Sequence, residues 1–501
     1  MHFVDVLVIA LVMMAITWFG HRLSGSISSR RGLFQADGSL PWWAVSASIL
    51  ATLVSAVTFV SVPAAVFAPG GDLTYFQVVL GLALGKVAVA ALLARPYYLS
   101  TGVDTCYQYI GGRLDAPSGE FSMYLGLLLN LINSGVKLLT ASLVLDVITG
   151  WGIPGCALVV VMVSILWSAL AGIKTVIWTD LLLFIFFSIG AVFVLLFTAG
   201  LVELSFVAAW AWLDEQAKLV LFDFSTDTSR SYTIWAGVIG GITLNIAQGC
   251  TQGTWQRVRS CRSADDAHKA FSLAALFYVM HVVILAVGLA LAVFYSLQPL
   301  PAEMSLEMRD APDRIFPYFI LTEIPVGLSG LFIAAIFAAA ISTLDSALTE
   351  TADMTLTHIY ARHIYNRGSE AHYVAASRWL MVFWGLVFMA LALFFNRYSA
   401  EGLLNLTFKL PNYVYGTLFG VIVLARFRVG RFTTILIGAL LATGLTVAMS
   451  RAGIAFFYWC PVAGSTMVLV VWLLERAAGR GAPEWLGVLV ATNPGQGGPS
   501  S

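Results

Sequence analysis

The sequence predicts an all-α membrane protein that crosses the bilayer about thirteen times. Of its 501 residues, 59% are hydrophobic and only 11% are charged, which is less than half of the roughly 25% charged residues usual in soluble domains. The mean hydropathy is +0.86. A soluble protein of this composition would expose too much apolar surface to water, so lipid must surround part of the chain.

Apolar runs long enough to cross a membrane recur along most of the chain. A helix needs about 20 apolar residues to cross the hydrocarbon core. The first run is too long for the core of a signal peptide and has no basic segment before it, so we interpret it as a membrane span. We number the predicted spans 1 to 13, at residues 2–21, 42–68, 75–94, 121–148, 155–172, 178–201, 233–253, 270–296, 315–345, 376–395, 401–425, 432–450 and 454–474.

The distribution of positive charge predicts the orientation. With the N-terminus outside, the inner loops and tail hold eighteen Lys and Arg residues, whereas the outer loops hold six. Because positive residues accumulate on the cytoplasmic side, we expect an outer N-terminus and a cytoplasmic C-terminus in the cell (inner or plasma) membrane. The longest outer loop, 202–232, carries no soluble enzymatic or signalling domain, and the Gly-, Pro- and Ser-rich tail is predicted to be partly disordered.

Several classes of function are disfavoured by composition. Lys plus Arg and Asp plus Glu both total 27, and this balance argues against a nucleic-acid partner, which would require a basic face. The five cysteines show no metal-binding spacing, and the seven histidines form no HExxH pattern. Since no nucleophile–base pair stands out either, we expect that the protein is not an enzyme.

Span 2 carries an unusual number of polar residues for a membrane helix. Its hydroxyl groups include Ser46, Ser48, Thr52 and Ser61, and Pro63 follows them. Proline removes a backbone donor and frees a carbonyl one turn earlier. This pattern fits a broken helix whose free carbonyls bind a cation, and it also fits a kinked helix that packs through small residues.

Span 9 carries a second polar face. Ala339, Ser342 and Thr343 follow the i, i+3, i+4 spacing of one helix face, and Asp345 and Ser346 come directly after them. Hydroxyl and carboxylate oxygens suit a hard cation rather than a soft one. A packing seam of small residues is the alternative, and it explains the alanines but not Asp345.

Polar residues also stand at the predicted inner ends of spans 6 and 7. Asp180 could cap the first turn of span 6, or it could reach an ion between helices. In span 7, Thr251 and Gln252 are predicted to line a polar site, while Gln256 and Arg257 are predicted to lie at the hydrated interface.

Three lysines fall inside predicted spans. Lys137 of span 4 lies deep enough to pair with a carboxylate or to snorkel. Lys86 and Lys409 are predicted to extend their ammonium groups to the interface.

Five stretches in this order resemble the sodium/solute symporter family, which includes sodium-coupled sugar, proline, sialate, iodide and monocarboxylate transporters. The resemblance covers residues from about 40 to 430. The stretches are WWAVSASILATLVSAVTFVSVP, RPYYLSTGVDTCYQYIGGRL, GIKTVIWTD, QGTWQRVRSCRSADDAHKA and PVGLSGLFIAAIFAAAISTLDSAL.

The resemblance implies a LeuT-type fold of two inverted five-helix repeats, here spans 2–6 and 7–11. The topology predicted from charge agrees, because an offset of five spans inverts the direction of each helix. The expected division is a leading helix and inner loop at 1–40, a core at 41–430 with repeats at 41–205 and 230–430, two trailing helices at 431–475, and a cytoplasmic tail at 476–501.

The resemblance also implies ion and solute ligands. The main sodium site would use the backbone carbonyls of Ala51, Val54 and Ala339 and the hydroxyls of Ser342 and Thr343. A second sodium would use Asp180, Ser342, Asp345 and Ser346. The solute would contact Ser55, Thr58, Gln77, Asn133 and Thr251.

The predicted function is sodium-driven symport of a small organic solute across the bilayer, by alternating access. The solute would be a neutral polar molecule such as a sugar, or a small carboxylate. Asn133 falls near the position where sialate carriers place an arginine, which argues against sialate. Two alternatives remain: a solute sensor with a separate signalling partner, and a proton-coupled carrier that uses Asp180 and Asp345.

Overall fold

The computed structural model describes residues 2–24, 29–52, 56–397 and 403–479. Every regular element among these residues is a helix, as predicted. Val54, Ser55 and most of the predicted tail lie outside the described residues.

Helices occupy all thirteen predicted spans. Within the described part of the chain, nine helices are long and apolar enough to cross a membrane, and four apolar helices are shorter. In chain order, the helices at spans 1 to 13 are Phe3–Ser24; Trp42–Ala51 with Ala56–Phe67; Phe76–Val89 with Ala90–Ala94 and Arg95–Leu99; Ala116–Thr149; Ile153–Leu201, which contains spans 5 and 6; Trp235–Ile239 with Gly240–Gln248; Ala264–Phe277 with Val279–Leu297; Leu328–Thr355 with Leu356–Ile364; Glu370–Asn396; Leu403–Phe427; Phe432–Arg451; and Phe456–Tyr458 with Trp459–Ala477.

Short helices connect these spans, and polar caps mark where many of them begin. Ser29, Thr105 and Thr251 each accept a backbone hydrogen bond from the first turn of the helix that follows, which satisfies a donor that has no partner within the helix. The connecting helices are Arg30–Gln35, Ala36–Gly38, Cys106–Arg113, Phe206–Glu215, Gln252–Ser260, Ala302–Asp310, Pro312–Arg314 and Ile315–Thr322.

Backbone breaks inside apolar runs set two boundaries: the predicted start of span 9 was wrong, whereas the predicted end of span 5 at residue 172 agrees with the structure. The run at 315–345 is divided by Pro325 and by Gly327, whose φ is 92°, so span 9 begins at Leu328. The helix Ile153–Leu201 is broken at Gly172, with φ 62° and ψ 176°. This conformation is accessible essentially only to glycine, and it separates span 5 from span 6.

Span 9 lies in the interior of the bundle. In its apolar window 89% of residues are buried, against 22% for Glu370–Asn396, so span 10 faces lipid while span 9 is surrounded by protein. Asp5 of span 1 holds the start of span 9, because its carboxylate accepts hydrogen bonds from the Gly327 backbone at 2.7 Å and the Ser329 hydroxyl at 2.8 Å. The starts of spans 1 and 9 therefore lie at the same face of the bundle.

Glycines allow spans 3 and 7 to approach backbone to backbone. A Cβ added at Gly81 would lie 2.5 Å from the carbonyl oxygen of Gly237, and one at Gly241 would lie 2.8 Å from the carbonyl carbon of Gly81. Small residues permit such close contact between membrane helices. This contact positions span 7, whose carboxyl end leads into the polar centre of the bundle.

We expect Gly81→Ala to destabilise the protein by about 1–3 kcal/mol, since the added methyl group forces two backbones apart. The melting temperature of purified protein in detergent measures this effect. Gly444→Ala is the matched control, because a Cβ there has no heavy atom within 4 Å. Equal melting temperatures for the two variants would contradict the close contact.

Candidate functional site

A single carboxylate joins three spans at the centre of the bundle. Asp180 of span 6 is fully buried. One of its oxygens accepts a hydrogen bond from the Ser48 hydroxyl of span 2 at 2.5 Å, and the other accepts from the Ser342 hydroxyl of span 9. Because Asp180 lies in the third turn after Gly172, the alternative of a cap in the first turn was wrong.

Arg257 brings the short helix Gln252–Ser260 to this carboxylate. Its Nη2 lies 3.8 Å from Asp180 Oδ2, and its Nη1 lies 3.6 Å from Glu350 Oε1. The guanidinium also donates hydrogen bonds to the hydroxyls of Ser48 at 3.2 Å, Thr52 at 2.5 Å and Ser346 at 3.1 Å. Two carboxylates and three hydroxyls thus surround one guanidinium.

The prediction of a hydrated interface at Gln256 and Arg257 was wrong. The two side chains are 0% and 3% exposed. The helix of span 7 ends at Gln248. The short helix Gln252–Ser260 follows it, with Thr251 as its N-cap. A charge buried in this way is stable only when it is paired and hydrogen-bonded, and the network around Arg257 meets that requirement.

Gly253 allows Glu350 to reach this helix. A Cβ at Gly253 would lie 1.8 Å from Glu350 Oε1, so only glycine permits the approach. Glu350 was not predicted as a site residue, although it lies one helical turn beyond Ser346 on the same face.

Four of the five predicted main sodium ligands lie in helices that meet at this centre. The Thr343 hydroxyl donates to the Ala339 carbonyl at 2.9 Å, and Ser342 donates to Asp180. A hydroxyl that donates its hydrogen keeps lone pairs for a cation. Ala51 is the last residue of the helix Trp42–Ala51, one turn beyond Ser48. Val54, the fifth predicted ligand, is outside the described residues.

In this structure the residues predicted for a second sodium form hydrogen bonds or ion pairs with protein groups. Asp180 and Ser346 share a cation in this structure, and that cation is the guanidinium of Arg257. The Asp345 carboxylate instead accepts a hydrogen bond from Ser168 of span 5 at 3.1 Å.

Two cavities adjoin the network. The first, of about 110 Å³, is lined by spans 2, 3, 4, 7, 9 and 11 and includes Thr52, Thr343 and Glu350. The second, of about 90 Å³, is lined in part by Thr58 and by aromatic residues. They have four lining residues in common: Asn133, Lys137, Gln248 and Tyr415.

The residues predicted to contact the solute do not all line the same cavity. Asn133 lines both cavities, Thr58 lines the second, and Thr251 lines the first while its hydroxyl donates to the Gln248 carbonyl at 2.8 Å. Ser55 is outside the described residues. Gln77 lines neither cavity.

The amide of Gln77 is used to hold a loop. Its nitrogen donates to the carbonyl of Tyr232 at 2.8 Å, and its oxygen accepts from the backbone of Asp223 at 3.2 Å. Gln77 thereby ties span 3 to the segment before span 7.

Lys86 is also placed differently from its prediction. Its side chain is 4% exposed and lines the first cavity, so it does not extend to the interface. The packing of spans 3 and 8 encloses it, with Phe271 of span 8 near its ammonium. The sequence signal for a buried, cavity-lining Lys86 was the presence of a lysine within an apolar run. Ionisable residues inside membrane spans are functional in many membrane proteins.

Comparisons with known proteins identify relatives of the chain. A sodium-coupled monocarboxylate transporter 2 of Bos taurus is 26% identical over 353 residues, which are 68% of this chain and 55% of that protein. A sodium/sialic acid symporter of Proteus mirabilis is 27% identical over 353 residues, 66% of this chain and 65% of that protein. The chain thus spans about half to two thirds of the length of these two relatives. Both are transporters, in agreement with the expectation that the protein is not an enzyme.

Solved structures confirm the predicted LeuT-type fold. A sodium-coupled sialic acid symporter in a substrate-bound outward-open state has a TM-score of 0.83 at 23% identity, and the match covers 96% of this chain and 99% of that one. A nucleobase-cation-symport-1 family transporter in a closed conformation has a TM-score of 0.52 at 14% identity, with 91% and 95% covered.

A comparison of the sequence with family models agrees with the fold and with the buried polar centre. The sequence model of the sodium:solute symporter family matches residues 33–445, which include every predicted site residue. The chain belongs to the sodium:solute symporter family.

Proposed function

We propose that this multi-pass membrane protein is a sodium-coupled symporter that imports a small organic solute by alternating access. The observation that carries the proposal is the meeting of spans 2 and 9 at Asp180 of span 6, in a buried polar centre directly beside a polar cavity. Sodium is the coupled ion, and the solute is a neutral polar molecule or a small carboxylate.

The sodium site supports the proposal through its ligands. Carbonyls of Ala51 and Ala339 and hydroxyls of Ser342 and Thr343 offer only hard oxygen atoms, which suit sodium. An ion held by these groups would tether span 2 to span 9, and its release would free the two helices to separate.

Coupling follows from shared residues. Thr343, a proposed sodium ligand, also lines the first cavity, and Thr52, next to Ala51, lines it as well. A solute in this cavity therefore contacts the same helices that sodium joins. Each ligand then favours the arrangement that binds the other, which is the condition for coupled transport.

The driving force comes from the sodium gradient and the membrane potential. One charge moving through 100 mV supplies about 2.3 kcal/mol, in addition to the concentration difference. A second sodium would increase this driving force, but it would have to share Asp180 with Arg257. We propose that such an ion binds only when the guanidinium moves away from Asp180 toward Glu350.

We propose an outer N-terminus and a cytoplasmic C-terminus in the cell membrane. The common face of Asp5 and the start of span 9 is consistent with this topology, because two odd-numbered spans begin on the same side.

Alanine at both Ser342 and Thr343 should weaken sodium binding at least about tenfold, since two ligating oxygens are lost. The measurement is the sodium concentration that half-maximally stabilises the purified protein against heat, with choline as the replacement cation. Thr446→Ala is the control, because Thr446 is equally buried and also donates to a carbonyl four residues earlier, at 2.9 Å. An unchanged sodium midpoint in the double variant would remove these residues from the site.

Single-cysteine labelling should reveal the proposed topology. Thr226→Cys in the loop before span 7 should react with an impermeant maleimide in intact cells, whereas Asn366→Cys between spans 9 and 10 should react only after permeabilisation. Both positions are exposed, and the five native cysteines are buried. The reverse pattern would invert the proposed orientation.

Transport in proteoliposomes should separate symport from the two alternatives. We expect a sodium gradient to drive solute accumulation, and a pH gradient in sodium-free buffer to drive none. Uptake under the pH gradient alone would identify a proton-coupled carrier. Solute binding with no uptake under either gradient would identify a sensor.

A further inference from the structure

Two lysines line the first cavity without forming an ion pair to any carboxylate of the described residues. Lys86 and Lys137 both contribute to its wall, and Lys137 also lines the second cavity. Within the described part of the chain, neither ammonium nitrogen lies within 4.0 Å of a carboxylate oxygen. Such a pairing is the usual way in which a protein stabilises a charge inside a membrane.

The hydrogen-bond donors of these lysines are mostly unused. Lys137 donates to the carbonyl of Thr52 at 3.5 Å, the outer limit for a hydrogen bond. The ammonium of Lys86 lies 6.0 Å from the ring centroid of Phe271 and has no hydrogen-bond partner among the residues described. Since each ammonium carries three N–H donors, the lysines retain donors for a ligand in the cavity.

The other charges near the cavity already have partners. Arg257 is paired with Asp180 and Glu350. Glu350 also attracts Lys137, so it is the one carboxylate that faces three cations in the cavity wall: Lys86, Lys137 and Arg257. Asp345 and Asp353 are not part of the wall, and their carboxylates accept hydrogen bonds from other side chains. The cavity wall therefore carries an excess of positive charge.

We propose, on the basis of the function proposed above, that the solute is a small organic anion whose negative group binds to Lys86 and Lys137. A buried cation without a counter-charge is costly, and an anionic group would offset that cost for both lysines. Charge-assisted hydrogen bonds from ammonium to carboxylate are also among the stronger contacts available in a protein. A neutral sugar would leave the excess positive charge of the wall uncompensated.

The second cavity accommodates the rest of such a solute. It begins at Lys137, which the two cavities share. Its remaining wall is largely apolar and aromatic, with Val57, Leu82, Leu244, Tyr278 and Phe408. An anion with its charged group at Lys137 can thus place an apolar or aromatic body in the second cavity.

The lysine site adjoins the proposed sodium site. Lys137 contacts the carbonyl of Thr52, the residue after the proposed ligand Ala51. An anion at Lys137 and a sodium ion at Ala51 would attract each other strongly, because the surroundings have a low dielectric constant. Each would raise the affinity for the other.

The test compares acids with their neutral amides in proteoliposomes of the full chain under a sodium gradient. The solute pairs are pyruvate and pyruvamide, benzoate and benzamide, and nicotinate and nicotinamide, with glucose and proline as further neutral solutes. We expect sodium-dependent uptake of at least one acid and at least tenfold less of its amide.

Substitution of the lysines then tests their role. For the transported acid, we expect Lys137→Met and Lys86→Met each to raise KM about tenfold or more, because a charged hydrogen bond is lost, and Lys137→Arg to restore part of the affinity. Lys269→Met is the control, since Lys269 is exposed and lines neither cavity. Melting temperatures and size-exclusion profiles show that each variant is folded.

Sodium-dependent uptake of a neutral solute, with no preference for any acid, would overturn the assignment of an anion but leave symport intact. An unchanged KM in both Lys→Met variants would overturn the role of the lysines. If no solute in the panel were taken up with sodium, the anion assignment would fall. If, in addition, sodium did not stabilise the protein against heat, the proposed symport would fall as well.

Discussion

The buried contact between Arg257 and its two carboxylates is the interaction on which the centre of the bundle depends. In a low-dielectric interior none of these charges is stable alone, so Asp180, Glu350 and Arg257 require one another. Their backbones belong to spans 6 and 9 and to the helix after span 7, and Ser48 and Thr52 connect span 2 to the same group. Four segments that are distant in sequence are thereby held around one point, where a change in one charge affects all of them.

An interruption in the helices lies beside that point. Span 7 ends at Gln248 before a new helix starts at Gln252. In lipid, an unpaired backbone carbonyl would be costly, so breaks of this kind persist only where protein, ions or water satisfy the freed groups. Glycines at the contact of spans 3 and 7 and at Gly253 bring the backbones close enough to enclose the site.

The charges around the site divide into a set that forms ion pairs and a set that does not. Arg257 holds two carboxylates and so connects helices, and this set keeps a net negative charge that can respond to a cation. Lys86 and Lys137 carry charge into the adjoining cavity with no ion pair among the described residues, although Glu350 attracts Lys137. In the function proposed above, this difference separates the part of the site assigned to sodium from the part assigned to an anionic solute, and Thr52 connects the two through its carbonyl and its hydroxyl.

The sequence alone determined the lipid environment, the succession of apolar helices, and the presence of hard oxygen atoms on one face of span 9, because hydropathy and helical periodicity are local properties of the chain. Its motifs also indicated the family. The tertiary structure alone decided which residues meet. Asp180 contacts Ser48 across 132 positions of the sequence, and Arg257 contacts Ser48 across 209. Periodicity identifies the face of a helix on which a side chain lies but not the neighbour that covers that face. For this reason Arg257 and Lys86 were expected at the interface, and Gln77 was expected at the solute, until the packing of the helices placed them elsewhere.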